Sequence, residues 1–284
     1  MELYFANGVL VDTQADSNNK QSADIGISFN DRALQYGDGV FETMRICDGG
    51  IPMWEYHQQR LINAQKALGL PLENLLSQWN EFAVSNLVNF ENACAKLVIS
   101  RGEGPRGYKI PQPVQLNWWL KITDLPIKSE HEGFRLTLCR HALSRQPALA
   151  GIKHLNRLDQ VLARSEWGGR DNFDEGIMFN IDGDVVEGTM SNLFWLKDGR
   201  LFTPDLSQEG IDGCVRRWVI RQYDHSSPVT IKKNVKLDLL LTADAVFLTN
   251  SLMGIQKVIE IDGQKIGQHT LIDSLAKTFE EQFA

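Results

Sequence analysis

A polar stretch carrying a proline, Thr123 to Gly133, sets the first limit on how this 284-residue chain can fold. Strand and helix signals run on both sides of it, so it reads as a boundary: a small α/β domain over 1–122, a linker over 123–133 and a large domain over 134–284. The length is enough for two compact domains or one large one.

Before the boundary, Asn7-Gly8 sits between two apolar runs, 3–6 and 9–12, and is the dipeptide best suited to a type I′ hairpin turn. Gly37-Asp38-Gly39 predicts a turn with positive φ, followed by strand alternation through Ile46, and Asp48-Gly49-Gly50 predicts a second hairpin. Trp54 to Gly69 has helical periodicity, with Tyr56, Leu61, Ala64 and Leu68 on one side and Gly69 as the stop. A second helix is expected over Pro71–Asn86. Strands are expected over 95–100 and 115–121, and between them lies a Gly/Pro-rich loop, 101–111, carrying Arg101, Arg106 and Lys109.

After the boundary, a strand over 134–141 leads to the segment Gly151-Ile152-Lys153-His154-Leu155-Asn156-Arg157-Leu158. Leu155, Leu158, Val161 and Leu162 recur at helical spacing and predict a buried face. Asn156 with Asp159 resembles a helix start, which leaves Lys153 in the preceding turn. On periodicity alone that lysine is a solvated surface group. A strand over 175–180, a hairpin at Asp182-Gly183, paired strands 192–196 and 200–202 joined at Asp198-Gly199, a helix over 214–223 and a strand over 245–249 complete the pattern. It is α+β, without internal repeats.

Composition narrows the classes of function. Hydrophobic residues at 43% and charged residues at 23% are ordinary for a globular chain, and the net charge of −7 argues against a general nucleic-acid binder. Cys47, Cys94, Cys139 and Cys214 lie far apart with no CxxC spacing, so neither a metal site nor a disulfide framework is suggested. The N-terminus has no basic region before an apolar core, and no stretch approaches the roughly 18 uninterrupted apolar residues of a membrane span. A cytoplasmic protein with no membrane or nucleic-acid partner is the expectation.

Four separated features fit one another: Lys153 in its turn, Glu187 at a strand end within Val185-Val186-Glu187-Gly188-Thr189-Met190-Ser191-Asn192, the glycine turn Gly213-Cys214-Val215-Arg216 opening a helix, and Arg60 in His57-Gln58-Gln59-Arg60-Leu61. In this order they resemble the fold-type IV pyridoxal-phosphate enzymes, a family of branched-chain aminotransferases, D-amino-acid aminotransferases and aminodeoxychorismate lyases. The likeness runs from about residue 3 to residue 260. It implies a two-domain α+β fold with pyridoxal 5′-phosphate in the interdomain cleft, a homodimer, and a large domain carrying the lysine. That cofactor needs an amine to hold it as a Schiff base and to move protons, which the resemblance assigns to Lys153. Its ring nitrogen needs a carboxylate, matched by Glu187. Its phosphate calls for helix N-terminal amides and a guanidinium, matched by Cys214, Val215 and Arg60, with Ser251 as a further hydroxyl. Where the family has threonine this chain has Val215, which loses that hydroxyl.

Two motifs resemble the lyase branch. One is Lys153-His154-Leu155-Asn156-Arg157-Leu158. The other is Arg106-Gly107-Tyr108, in which Arg106 would grip a substrate carboxylate and Tyr108 takes the position of a histidine in D-amino-acid aminotransferases. The implied reaction converts 4-amino-4-deoxychorismate to 4-aminobenzoate and pyruvate. The alternative is a D-amino-acid or branched-chain aminotransferase on the same scaffold.

Overall fold

Asn7 and Gly8 take φ of 49° and 83°, the left-handed pair that a type I′ turn requires, and Asp198 and Gly199 repeat it with 48° and 71°. A computed structural model of the chain describes residues 2–11, 26–126, 132–168, 172–223 and 227–283. The chain divides into two units, Met1–Ile127 with Lys153–Asn156, and Lys128–Ile152 with Arg157–Ala284. Part of the expected linker, residues 127–131, lies outside the described residues.

In the first unit, β1 (Glu2–Ala6) and β2 (Val9–Val11) form the Asn7-Gly8 hairpin. Helix α1 (Arg32–Tyr36), β3 (Gly39–Cys47), α2 (Trp54–Leu68), α3 (Glu73–Leu87), β4 (Asn92–Ser100) and β5 (Asn117–Thr123) follow. The strands make one five-stranded sheet in the order β2-β1-β5-β4-β3. Alternation along β3 buries Val40, Glu42, Met44 and Ile46, so one of its four inward positions is a carboxylate. Aromatic packing holds α3 to α2 and to the sheet: Trp79 stacks on Trp54 of α2 at 4.7 Å, and Phe82 meets Phe5 and Trp118 edge-on.

Three expectations change here. Asp48-Gly49-Gly50 reverses the chain through a single Cys47–Gly50 bridge, but β3 then pairs with β4 along its whole length, so no second hairpin forms. Gly37 ends a helix, α1, rather than standing in a plain turn; at φ 64° it caps the carbonyls of Ala33 and Arg32. The buried stripe of α2 is His57, Arg60, Leu61 and Ala64, with Tyr56 and Leu68 only half-buried.

The second unit contains β6 (Phe134–Leu143), α4 (Leu158–Ser165), β7 (Glu175–Asn180), β8 (Val185–Gly188), β9 (Asn192–Lys197), β10 (Arg200–Pro204), α5 (Cys214–Tyr223), β11 (Thr230–Lys232), α6 (Leu237–Leu241), β12 (Ala245–Asn250), β13 (Gly254–Ile261), β14 (Gln264–Lys265) and α7 (Thr270–Glu280). Its nine-stranded sheet runs β11-β10-β9-β12-β13-β6-β7-β8, with β14 beside β13. Leu136, Ile177, Leu193, Trp195, Val246 and Val258 form the centre of its core.

Helix α4 departs from expectation. Leu158, Val161 and Leu162 are 73%, 59% and 49% exposed, and Ala163 is the buried residue. A polar face docks the helix instead: Asp159 accepts from Ser144 N at 3.0 Å and pairs with His141 Nε2 at 2.9 Å. Nor does Asn156 cap the helix. The N-cap is Arg157, and Asn156 donates to the Gly37 carbonyl at 3.2 Å.

Glu175, at the start of β7, organises the turn between β8 and β9. Its buried carboxylate accepts from the amides of Gly176, Thr189 and Met190 and from the hydroxyls of Thr189 and Ser191. Gly188 is required there, since a Cβ would run into Ser191 Oγ and the Glu175 side chain. Removing the carboxylate leaves several buried donors without a partner. Glu175→Ala is expected to cost on the order of 3 kcal/mol, read as a melting midpoint roughly 10 °C lower.

Candidate active site

Lys153 lies with the first unit, whereas the sequence places it in the large domain. The backbone gives the reason. Phe41 N donates to Lys153 O at 2.9 Å, His154 bridges Val40, and Leu155 N donates to Gly39 O at 3.0 Å, so residues 153–155 run as an extra edge along β3. Gly39 permits this approach, because a Cβ there would collide with Ile99 O and Leu155. The Lys153 ammonium lies 4.5 Å from the centre of the Phe41 ring, a cation–π contact on a half-buried side chain.

Arg60 is buried on α2 and forked onto Glu42 of β3: Nε donates to Oε1 at 2.8 Å and Nη2 to Oε2 at 2.5 Å. His57, one helical turn earlier, places Nδ1 2.6 Å from the same Oε2. Burial pushes the Glu42 carboxyl up, but the charge and hydrogen bonds of Arg60, with His57, overcome it and hold the group at about 2. An ionised carboxylate only accepts, so His57 Nδ1 carries the proton. A carboxyl held that low stabilises the fold fully above its unfolded value of 4.5 and loses that contribution as pH falls toward about 2. Glu42→Gln is therefore expected to flatten the acid limb of a stability-versus-pH curve across that window, measured by denaturant unfolding. An unchanged slope would refute the assignment.

In the second unit the Glu187 side chain is 3% exposed. Its Oε2 accepts from Ile211 N at 2.8 Å and from Asn192 Nδ2 at 3.3 Å. Asn192 also donates to Ile211 O at 2.7 Å and accepts from Gly213 N at 3.0 Å, tying Glu187 to the residues that open α5. A Cβ at Gly213 would strike Asn192 Oδ1, which explains the glycine. Cys214 and Val215 form the first turn of α5, both buried, and first-turn amides have no partner inside their own helix. Arg216 is anchored beside them by Asp212 and Pro204.

Thr249 pairs with Asn192 across β12 and β9, so their side chains share a sheet face. It is 1% exposed, and its hydroxyl has no hydrogen-bond partner among the described residues. The sequence pointed to Ser251, which is half-buried in a turn built by Asn250, whose Oδ1 accepts from Leu252 N and Met253 N. Thr249 was legible as part of the same run. What singles it out is the unsatisfied buried hydroxyl, which only the fold reveals.

Arg106 and Tyr108 sit on an exposed loop, Tyr108 at 84%. The loop's path is nevertheless fixed. Buried Arg32 donates to the carbonyls of Gly107, Tyr108 and Lys109 and to Asp38, while the Tyr36 hydroxyl accepts from Gly107 N. Arg101 shares Asp38 and reaches the carbonyls of Leu68 and Gly69. Burial would raise the Asp38 carboxyl, and the two arginines more than reverse it.

Residues 39–261 match the family model for amino-transferase class IV. The chain belongs to that family. Among class IV relatives, the aminodeoxychorismate lyase of Vibrio harveyi is 35% identical over 239 residues, covering 82% of this chain and 86% of the relative. The D-alanine aminotransferase of Staphylococcus haemolyticus is 26% identical, covering 94% and 92%. A solved 4-amino-4-deoxychorismate lyase from Pseudomonas aeruginosa superposes with a TM-score of 0.88 at 34% identity, over 98% of each chain. The fold is thus the α+β class IV fold expected from sequence. Among the described residues no helix is long and apolar enough to cross a membrane.

Proposed function

We propose that this class IV enzyme is a pyridoxal-phosphate-dependent lyase that converts 4-amino-4-deoxychorismate to 4-aminobenzoate and pyruvate. The reading is carried by end-to-end likeness to a solved lyase together with the run Lys153-His154-Leu155-Asn156-Arg157-Leu158. The residues present suit the cofactor. Glu187 is a buried carboxylate already held in place, Thr249 offers an unsatisfied buried hydroxyl, and α5 opens on a glycine turn.

In this reading Lys153 supplies the amine that holds the cofactor. Glu187 pairs with its ring nitrogen. Arg60, the Cys214 and Val215 amides and Ser251 take its phosphate, with Thr249 added from the structure. Bound there, pyridoxal phosphate supplies an electron sink for the charge left when a substrate carbon loses a proton. Lys153 removes and carries that proton from the carbon bearing the amine. The adjacent enolpyruvyl group departs as pyruvate and the ring becomes aromatic. Arg106 would grip a substrate carboxylate, with Tyr108 beside it.

A homodimer in the cytoplasm completes the proposal. The exposed Leu158, Val161 and Leu162 of α4 form the kind of apolar face that a second copy covers. The deciding experiment feeds 4-amino-4-deoxychorismate to the purified protein and measures 4-aminobenzoate, beside a D-alanine/2-oxoglutarate assay. Formation of 4-aminobenzoate is expected. Transamination without it would replace the lyase with the aminotransferase reading.

A further inference from the structure

Glu42 sits at the second position of β3's inward row, between Val40 and Met44, where the alternation otherwise places apolar residues. An ionised carboxylate there is expensive to bury, and replacing such a pair with apolar residues is often neutral or stabilising, so stability alone does not account for it. Its geometry does. Glu42 takes Nε and Nη2 of Arg60 with its two oxygens, and His57 donates to Oε2 from below on the same helix. The fork fixes the plane and rotation of the guanidinium. It also commits Nε and one hydrogen of Nη2 to Glu42, so the plane in which the guanidinium can meet an anion is set before the anion arrives.

We infer that Glu42, backed by His57, is a positioning residue that holds Arg60 in the one orientation in which it can take a phosphate. This rests on the reading of Arg60 as a phosphate contact of pyridoxal phosphate. The inference extends that reading to Glu42, which forks onto the arginine, and to His57, which holds the same carboxylate. A carboxylate behind a phosphate-binding arginine looks counterproductive, since it offsets the positive charge. The gain is directional: a long side chain with about 2 kcal/mol of rotamer entropy is immobilised before the ligand arrives, so less of the binding energy goes into ordering it.

The test compares two ligands that differ only in the phosphate. Apo protein, stripped of cofactor, is titrated with pyridoxal 5′-phosphate and with pyridoxal, and binding is read from the absorbance change. Glu42→Gln keeps the shape and removes the charge. It is expected to weaken pyridoxal phosphate by about 10- to 100-fold, the scale seen when the partner orienting a metal ligand is lost, while pyridoxal binding stays within about 2-fold. Glu42→Asp draws the carboxylate back by one methylene and should give a smaller loss in the same direction, which keeps the test alive if the glutamine variant folds poorly. Equal weakening of both ligands would mean general damage and would overturn the inference, as would no weakening of either. Arg60→Ala is the control that separates the two claims. If it abolishes the preference for the phosphorylated ligand while Glu42→Gln does not, only the positioning role fails. If Arg60→Ala leaves the preference intact, the phosphate reading of Arg60 fails and the positioning role falls with it.

Discussion

Lys153→Ala is expected to remove both turnover and the absorbance change that marks covalent attachment of pyridoxal phosphate. In the proposed role of nucleophile and proton carrier, its loss costs at least about 10⁴-fold in rate. The fold should survive. Lys153 is half-buried, and its ammonium meets the Phe41 ring at 4.5 Å, a contact worth about 1 kcal/mol. The backbone pairing of residues 153–155 with β3 uses no side-chain atom of the lysine. A melting midpoint within a few degrees of the unaltered protein, with the absorbance change absent, therefore separates chemistry from folding. Lys153→Arg sharpens the comparison, since it keeps a cation on the ring but not a nucleophilic amine. Retention of turnover or of the absorbance change in either variant would sink the assignment.

The second large effect is expected at Glu187. Glu187→Gln preserves an oxygen to accept from Ile211 N, so the turn into α5 keeps its anchor. What disappears is the negative charge that would hold a ring nitrogen protonated. Removing one preorganised electrostatic partner from a site of this kind costs roughly 10²- to 10³-fold in rate. Pyridoxal phosphate should still attach, because Lys153 and the proposed phosphate contacts are untouched. The signature is thus a coloured, folded and slow enzyme, measured by 4-aminobenzoate formation under saturating substrate. A Glu187→Gln protein with unaltered turnover would move the ring-nitrogen role to another residue.

Local signals in the sequence carried much of this fold. Asn7-Gly8 and Asp198-Gly199 announce their turns because few other pairs accept two successive positive φ values. Gly69 ends α2 where expected. Helix α4 was misread for a specific reason. Leu158, Val161 and Leu162 have helical periodicity, but periodicity reports only that a face is apolar, not which surface it meets. The face by which α4 docks pairs buried Ala163 with Asp159, whose carboxylate meets a histidine 18 residues away.

The candidate site residues could be named from the sequence, but the partners that hold them could not. Glu42 carried a signal that could have been used: it occupies an inward position of an alternating strand, where a charge demands a counter-ion. His57, Arg60, Leu61 and Ala64 also share one face of α2, which would have supplied it. Thr249 carried no comparable signal. A threonine at a strand end is unremarkable until the structure leaves its hydroxyl unsatisfied.

Arg32 gives the loop bearing Arg106 and Tyr108 an unusual form of independence. It holds that loop through main-chain carbonyls, which every residue possesses, and its own guanidinium is fixed by Asp38. The trajectory of the loop therefore leans on Arg32, on the positive φ of Gly107 (95°) and on the Tyr108 ring set edge-on to Tyr36 at 5.3 Å. Substitution at 106 changes what the loop displays without touching the carbonyls that Arg32 holds. A scaffold shared by relatives named as a lyase and as an aminotransferase can in this way vary an exposed side chain while the backbone stays put.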